Sequence, residues 1–299
     1  MCTSPNIAIV YGCDKTTGKL KIKLKRHLLF SLQDYWRRYG QENVLMLPCG
    51  HCAECILKRR REWSVRCACE ALDHNVSTFV TLTYDDLHLR ALNKDDPREF
   101  IKSIRNAGFK VRYFGCGELG EHTFRPHYHI VLFGFMPKDL VYSGESKSGE
   151  VMYTSKFLDS LWKKGIVQVQ FFGPRAAAYV AGYTSKKLGA TDGFQFQSTK
   201  PGIGFNYINK HLTTILNYGQ IFGNFGSVNK YAIPRYFKKI LEKDGYSLIL
   251  DMMTEEKLKN LNDDFFAIAR LHGIRQVDEV VPLNKHRAEK KLMKLERNL

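Results

Sequence analysis

His127 and His129 are the residues of this chain best placed to do chemistry. They stand in Arg125-Pro-His-Tyr-His-Ile-Val-Leu-Phe-Gly134, where a β-branched, aromatic and apolar run closed by glycine predicts a strand from His127 to Phe133. Side chains alternate along a strand, so both imidazoles share one face and Tyr128 takes the other. Two same-face imidazoles can grip one metal ion. Such a pair is ordinarily surface or satisfied core, so the reading depends on its surroundings. Lys110 to Gly117 predicts a second strand, closed by Glu118. The eight residues from Leu119 to Pro126, Gly120 among them, can turn an antiparallel pair. A symmetric turn sets Glu118 roughly opposite His127. Two nitrogens and one carboxylate leave coordination positions open, as a catalytic metal requires. Mg²⁺ or Mn²⁺ suits phosphate chemistry, because the ion must also bind substrate oxygens. The alternative is that Glu118 is a solvated charge at a loop end.

A second constellation lies in Pro174 to Gly189, which has helix start and stop signals at its ends. Tyr179 and Tyr183 are four apart and stack on one helical face, with Lys186 three further on the same side. Spacing alone favours a core or boundary role. A phenol, with a pKa of about 10, is a poor nucleophile unless a cation or base assists it. Lys186 supplies a cation, and a metal ion beyond it would polarise a phosphate. Gly182 weakens the helix by about 1 kcal/mol against alanine.

A third is Cys49-x-x-Cys52-x-x-Cys55. Three thiols at that spacing can wrap a structural zinc ion, with His51, Cys67 or Cys69 as fourth ligand. The full double Cys-x-x-Cys pattern is absent, and the alternative is reduced thiols on a turn before a basic helix. In a reducing cytosol the chain's eight cysteines are not expected to form a disulfide framework.

The elements that must position these groups follow from periodicity. Lys19 to Lys25 alternates charged and apolar residues as one arm of a basic hairpin. Ala53 to His74 predicts a long basic helix, and Val76 to Tyr84 a central strand. Pro97–Asn106 and Ser155–Lys164 predict helices, Ile166–Phe172 a strand, 190–230 loops with short strands, and 254–272 and 284–299 helices. The order suits an α+β domain with an antiparallel sheet. The expected division is a basic N-terminal extension (1–47), a core (48–190) and a C-terminal accessory region (191–299).

The chain carries 46 Lys and Arg against 30 Asp and Glu, a net charge of +16, for which a polyanion is the simplest partner. Lys58, Arg59, Arg60 and Arg61 form a dense cluster, and Lys187 adds to the tyrosine segment. Trp36, Trp63, Tyr236 and Phe237 stand near basic clusters, where exposed rings could stack unpaired bases, although burial is the commoner fate. With 44% hydrophobic residues the chain is expected to fold, and it shows neither a membrane-length apolar run nor a signal peptide, which suggests a cytosolic protein.

Several blocks in order resemble the HUH-type replication initiators of small circular single-stranded-DNA viruses, in particular the gokushovirus group of microviruses. They are Pro48-Cys-Gly-His-Cys-Ala-Glu-Cys55, Phe79-Val-Thr-Leu-Thr-Tyr84, Phe114-Gly-Cys-Gly-Glu118 with Arg125-Pro-His-Tyr-His129, Tyr179-Val-Ala-Gly-Tyr-Thr-Ser-Lys186, Lys200-Pro-Gly-Ile-Gly204 and Pro234-Arg-Tyr-Phe237. Gly182 departs mildly, standing where a bulkier residue is common. The resemblance implies the HUH endonuclease fold, a five-stranded antiparallel sheet flanked by helices. It implies a divalent metal on His127, His129 and Glu118, and DNA attack by Tyr179 and Tyr183, with Lys186 matching a lysine that often follows. The expected function is nicking of single-stranded origin DNA through a 5′-phosphotyrosyl link in the bacterial host's cytoplasm. Host helicase and polymerase would be partners, since the sequence has no Gly-x-x-x-x-Gly-Lys-[Ser/Thr] phosphate loop. The competing readings are a water-using metallophosphodiesterase and a non-catalytic, zinc-stabilised nucleic-acid-binding protein.

Overall fold

The computed structural model describes residues 5–14, 20–25, 32–120, 123–146, 149–172, 193–224 and 228–253. They divide into two compact units, 5–58 and 59–253. In the first, β1 (Asn6–Cys13) lies between β2 (Leu20–Lys25) and β3 (Val44–Leu47), both antiparallel to it. The predicted basic hairpin is β1–β2. Ile7, Ile9 and Val44 bury one face against Tyr35 of α1 (Leu32–Tyr39), with Trp36 and Tyr39 packed at the edge. Neither α1 nor β3 was expected. The helix α2 (Ala53–Leu72) begins in this unit.

The second unit is built on a sheet of seven described strands. They are β4 (Ser77–Tyr84), β5 (Arg112–Leu119), β6 (Pro126–Phe133), β7 (Leu140–Glu145), β8 (Val151–Ser155), β9 (Gly165–Phe171) and β10 (Phe194–Gln197), in the order β10-β5-β6-β4-β9-β8-β7. The resemblance implied five. The count rises because a β7–β8 hairpin extends one edge, joined to β9 through Tyr153 opposite Val169. At the other edge β10, from the region assigned to the C-terminal accessory part, pairs with Phe114–Gly117. Gly115 and Gly117 make that pairing fit. A Cβ on either would meet the Phe196 or Phe194 ring at under 3 Å, so these strand glycines serve close ring approach. The α+β class and central β4 agree with expectation.

Helices cover both faces. On one, α3 (Asp95–Asn106) and α4 (Lys156–Trp162) bring Phe100, Ile104, Leu158 and Trp162 against Val80, Leu82, Tyr128 and Ile130. Ser155 caps α4 by accepting the Leu158 N–H at 3.2 Å. On the other face Cys67 and Ala68 of α2 pack on Phe79, Phe114, Val131 and Phe133. Beyond it, α5 (Phe205–Lys210), α6 (Leu212–Tyr218), the hairpin β11 (Gln220–Asn224) and β12 (Val228–Ala232), and α7 (Arg235–Lys243) bury a further cluster with Val65 and Cys69. The two short helices α5 and α6 fall where loops were expected.

The aromatic residues considered for base stacking serve packing instead. Arg66 lies between the rings of Trp63 and Tyr236, 4.0 and 4.2 Å from their centroids, and donates to the Ile203 carbonyl at 3.1 Å. Phe237 is fully buried and Trp36 is half-buried. Residues 254–299, expected to hold two helices, lie outside the described residues.

Candidate active site

The β5–β6 ladder decides the geometry. Glu118 pairs directly with His127, and Cys116 with His129. The predicted strands are one or two residues out at their ends, but the register across the turn is the one a symmetric connection gives. On the other side of β6, Thr83 pairs with His127 and Thr81 with His129. Partners on one rung share a face, so Glu118, His127, His129, Thr81 and Thr83 lie on the α2 side of the sheet. There the Glu118 carboxylate comes within 3.4 Å of His129 Nε2, both groups nearly buried. His129 Nδ1 lies 3.1 Å from Thr81 Oγ1, and the ring stacks on Phe79 at 5.8 Å between centroids. When Thr81 accepts from Nδ1–H, the Nε2 lone pair can meet a cation. His127 leans towards the hairpin, where a Cβ on Gly120 would stand 3.0 Å from its Nε2. Thr81 and Gly120 were not singled out by sequence for these roles.

The opposite face fixes β6. The Tyr128 hydroxyl lies 2.8 Å from that of Tyr84, donates to the Asn93 carbonyl at 2.9 Å and accepts the Asn93 N–H at 3.1 Å. Tyr84 donates to Asp96, a buried carboxylate that also receives Arg90 and Lys164. Burial works to raise the Asp96 pKa, but hydrogen bonds from Lys164, Tyr84 and Arg90 outweigh it and hold the carboxyl below its usual range. Burial and the bond to Asp96 push the Tyr84 phenol well up. β5 is tied to α2 by Arg112, which donates to Glu70 and to the Pro201 and Gly202 carbonyls.

Chemically, Glu118, His127 and His129 are a fitting donor set for a divalent cation that keeps positions open for substrate oxygens. Glu118 and His129 are already close. Among the described residues, the one group of three His, Cys, Asp or Glu donors within 4.8 Å of one another is Cys49, Cys52 and Cys55. Cys49 Sγ lies 4.0 Å from Cys55 Sγ and accepts the Cys52 N–H at 3.3 Å, with Gly50 at φ 87° forming the turn. Cys52 and Cys55 stand at the entry and first turn of α2. This cluster could hold a metal such as zinc. His51 Nδ1 is engaged 3.0 Å from the Cys49 carbonyl. Cys67 and Cys69 are packed in apolar clusters, where burial raises their thiol pKa values.

Tyr179, Tyr183, Lys186 and Lys187 lie outside the described residues. Of the basic run, Lys58 and Arg61 are exposed and Arg59 is half-buried. Arg60 is 8% exposed, so it faces inward rather than towards a polyanion, as its place on the helix dictates.

Comparison with known proteins assigns the chain. Residues 77–188 match the family model for the replication-associated protein ORF2. The chain is 30% identical over 236 residues to the replication-associated protein ORF2 of Spiroplasma virus 4, covering 71% of this chain and 73% of that protein. It is 32% identical over 231 residues to the replication-associated protein VP4 of Bdellovibrio phage phiMH2K, with the same coverage. It is 32% identical over 219 residues to the replication-associated protein ORF4 of Chlamydia phage 1, covering 66% of this chain and about half (54%) of that protein. No solved structure matches. On these likenesses, the chain belongs to the family of phage replication-associated proteins.

Proposed function

We propose that this protein, an HUH endonuclease, starts rolling-circle replication of a small circular single-stranded-DNA virus by nicking origin DNA through a tyrosine. The observation that carries the reading is the Glu118–His127 rung, with His129 Nε2 3.4 Å from the Glu118 carboxylate on the same face. Glu118, His127 and His129 would hold Mg²⁺ or Mn²⁺, which when bound offsets charge on a phosphate. The Tyr179 or Tyr183 oxygen attacks phosphorus. The bond to the 3′ oxygen breaks, and the phenol proton ends on the freed 3′-hydroxyl. The phosphate stays on the tyrosine as a 5′-phosphotyrosyl link. That link keeps the phosphodiester energy, so the strand is rejoined without ATP. The second tyrosine cuts again while the first adduct persists. Lys186 stabilises phenolate charge, and Lys58, Arg59, Arg61 and Lys187 hold the DNA backbone. Host helicase and polymerase extend the freed end in the bacterial cytoplasm. In this reading the cysteine cluster holds a structural zinc ion.

Incubation with labelled single-stranded origin DNA and Mn²⁺, followed by denaturation, tests this. A covalent adduct lost in the Tyr179→Phe/Tyr183→Phe double variant is the expected result. Cleavage without an adduct means that water is the nucleophile. Binding without cleavage leaves a non-catalytic DNA-binding protein.

A further inference from the structure

A cavity of about 610 Å³ opens beside the histidine ladder, a size typical of sites that take a small ligand. Leu119 and Pro126 line it, and they form the rung next to Glu118 and His127. Gly193 lines it too, the first described residue after the segment bearing Tyr179 and Tyr183. Its cations are Arg90, Lys94 and Arg125, and no acidic residue is among the described lining. Arg90 holds the buried Asp96 and Arg125 holds Asp86, while Lys94 is exposed above the Phe194 ring at 5.6 Å.

Two rings complete the cavity. Phe194 is laid down on Gly117, whose missing Cβ leaves room for it. Phe124 is 71% exposed and sits at φ 52°, a left-handed conformation that bulky side chains rarely adopt. Exposed aromatic faces beside cations are what an unpaired base with its phosphate needs, and a paired base offers no free face to stack.

We propose that this cavity binds one nucleotide of single-stranded DNA, adjacent to the phosphodiester presented to Glu118 and His127. The base stacks on Phe124 and Phe194. Lys94 and Arg125 meet its phosphate. The placement next to the cleaved bond rests on the nicking reading; the nucleotide site itself does not.

The test uses the full chain and oligo(dT), with binding followed by fluorescence anisotropy across a salt series. Phe124→Ala is expected to weaken binding about tenfold. Lys94→Gln is expected to weaken it and to lower the salt slope by about 0.7. Oligonucleotides carrying single 5-iodouracils should photocrosslink to peptides holding Phe124 or Phe194. Circular dichroism confirms that both surface variants fold. Parent-like affinity and slope in both variants, crosslinks that map elsewhere, or equal competition by free thymidine monophosphate would overturn the proposal. The adduct assay on the same samples separates the two readings. Adducts with unaltered variant binding remove the cavity and keep the nicking. Weakened variant binding without parent adducts keeps the cavity and removes the nicking.

Discussion

The two metal-binding candidates of this protein are assembled in opposite ways. The thiols come from residues 49–55, one turn and the start of one helix, and their donor atoms already lie within 4.8 Å of one another. The imidazoles and carboxylate come from two strands, braced by a third that contributes Thr81, and only Glu118 and His129 are drawn close. A local turn converges its ligands whatever the rest of the chain does. A sheet sets its side chains in rows and leaves space between them. Closed donor sets suit ions that hold a fold, and open ones suit ions that must also meet a substrate. The pair therefore divides labour, one site for folding and one for chemistry.

The largest effect should come from breaking the closed site. In zinc-finger peptides the binding free energy, about 10–16 kcal/mol, is folding free energy. Cys49→Ser/Cys52→Ser should take zinc from about one ion per chain to below about 0.1, and the 5–58 unit should lose its protection from proteolysis. Zinc content by mass spectrometry and limited digestion measure both. A zinc-free parent that is as protease-resistant as the double variant would remove the contrast.

The open site predicts the reverse pattern. His129→Gln should lower Mn²⁺ affinity and adduct yield by more than about 100-fold, since even the outer partners of a metal ligand are worth about 10–100-fold. The melting temperature should move by only a few degrees, because Gln fills much of the same space against Phe79. A collapse in stability with intact Mn²⁺ binding would show that His129 is a core histidine and that the sheet site is misassigned.

Legibility in the sequence follows the same divide. The Glu118–His127 rung could be read because strand alternation and a short symmetric turn fix register locally. The thiol cluster could be read from spacing. Thr81 could not be read as a partner of His129, because that contact depends on β4 lying next to β6, with 48 positions between the two residues. Gly120 looked like a turn glycine, and only the lean of the His127 ring gives it a second reason. The β7–β8 hairpin escaped notice because it exposes Val141 and Tyr142 and so lacks the alternation that marks a half-buried strand. The Lys58–Arg61 run read as one basic face, but consecutive helical residues point in different directions, and Arg60 turns inward.

The smallest effect is also the finest probe of the open site. Thr81→Val keeps the shape and β-branching of the side chain in β4 and removes the oxygen that faces His129 Nδ1. One lost hydrogen bond costs about 1 kcal/mol of stability, little more than the change of a surface residue. The ring, however, loses the contact that keeps its proton on Nδ1, and a neutral imidazole with its proton on Nε2 has no lone pair for a cation there. Mn²⁺ affinity should therefore fall about 10–100-fold while the fold stays intact, and Thr81→Ser should restore it. Isothermal titration with Mn²⁺ beside a melting curve reads both quantities. If Thr81→Val bound Mn²⁺ like the parent, Nδ1 would not need its threonine, and the third strand would have no part in arming the site.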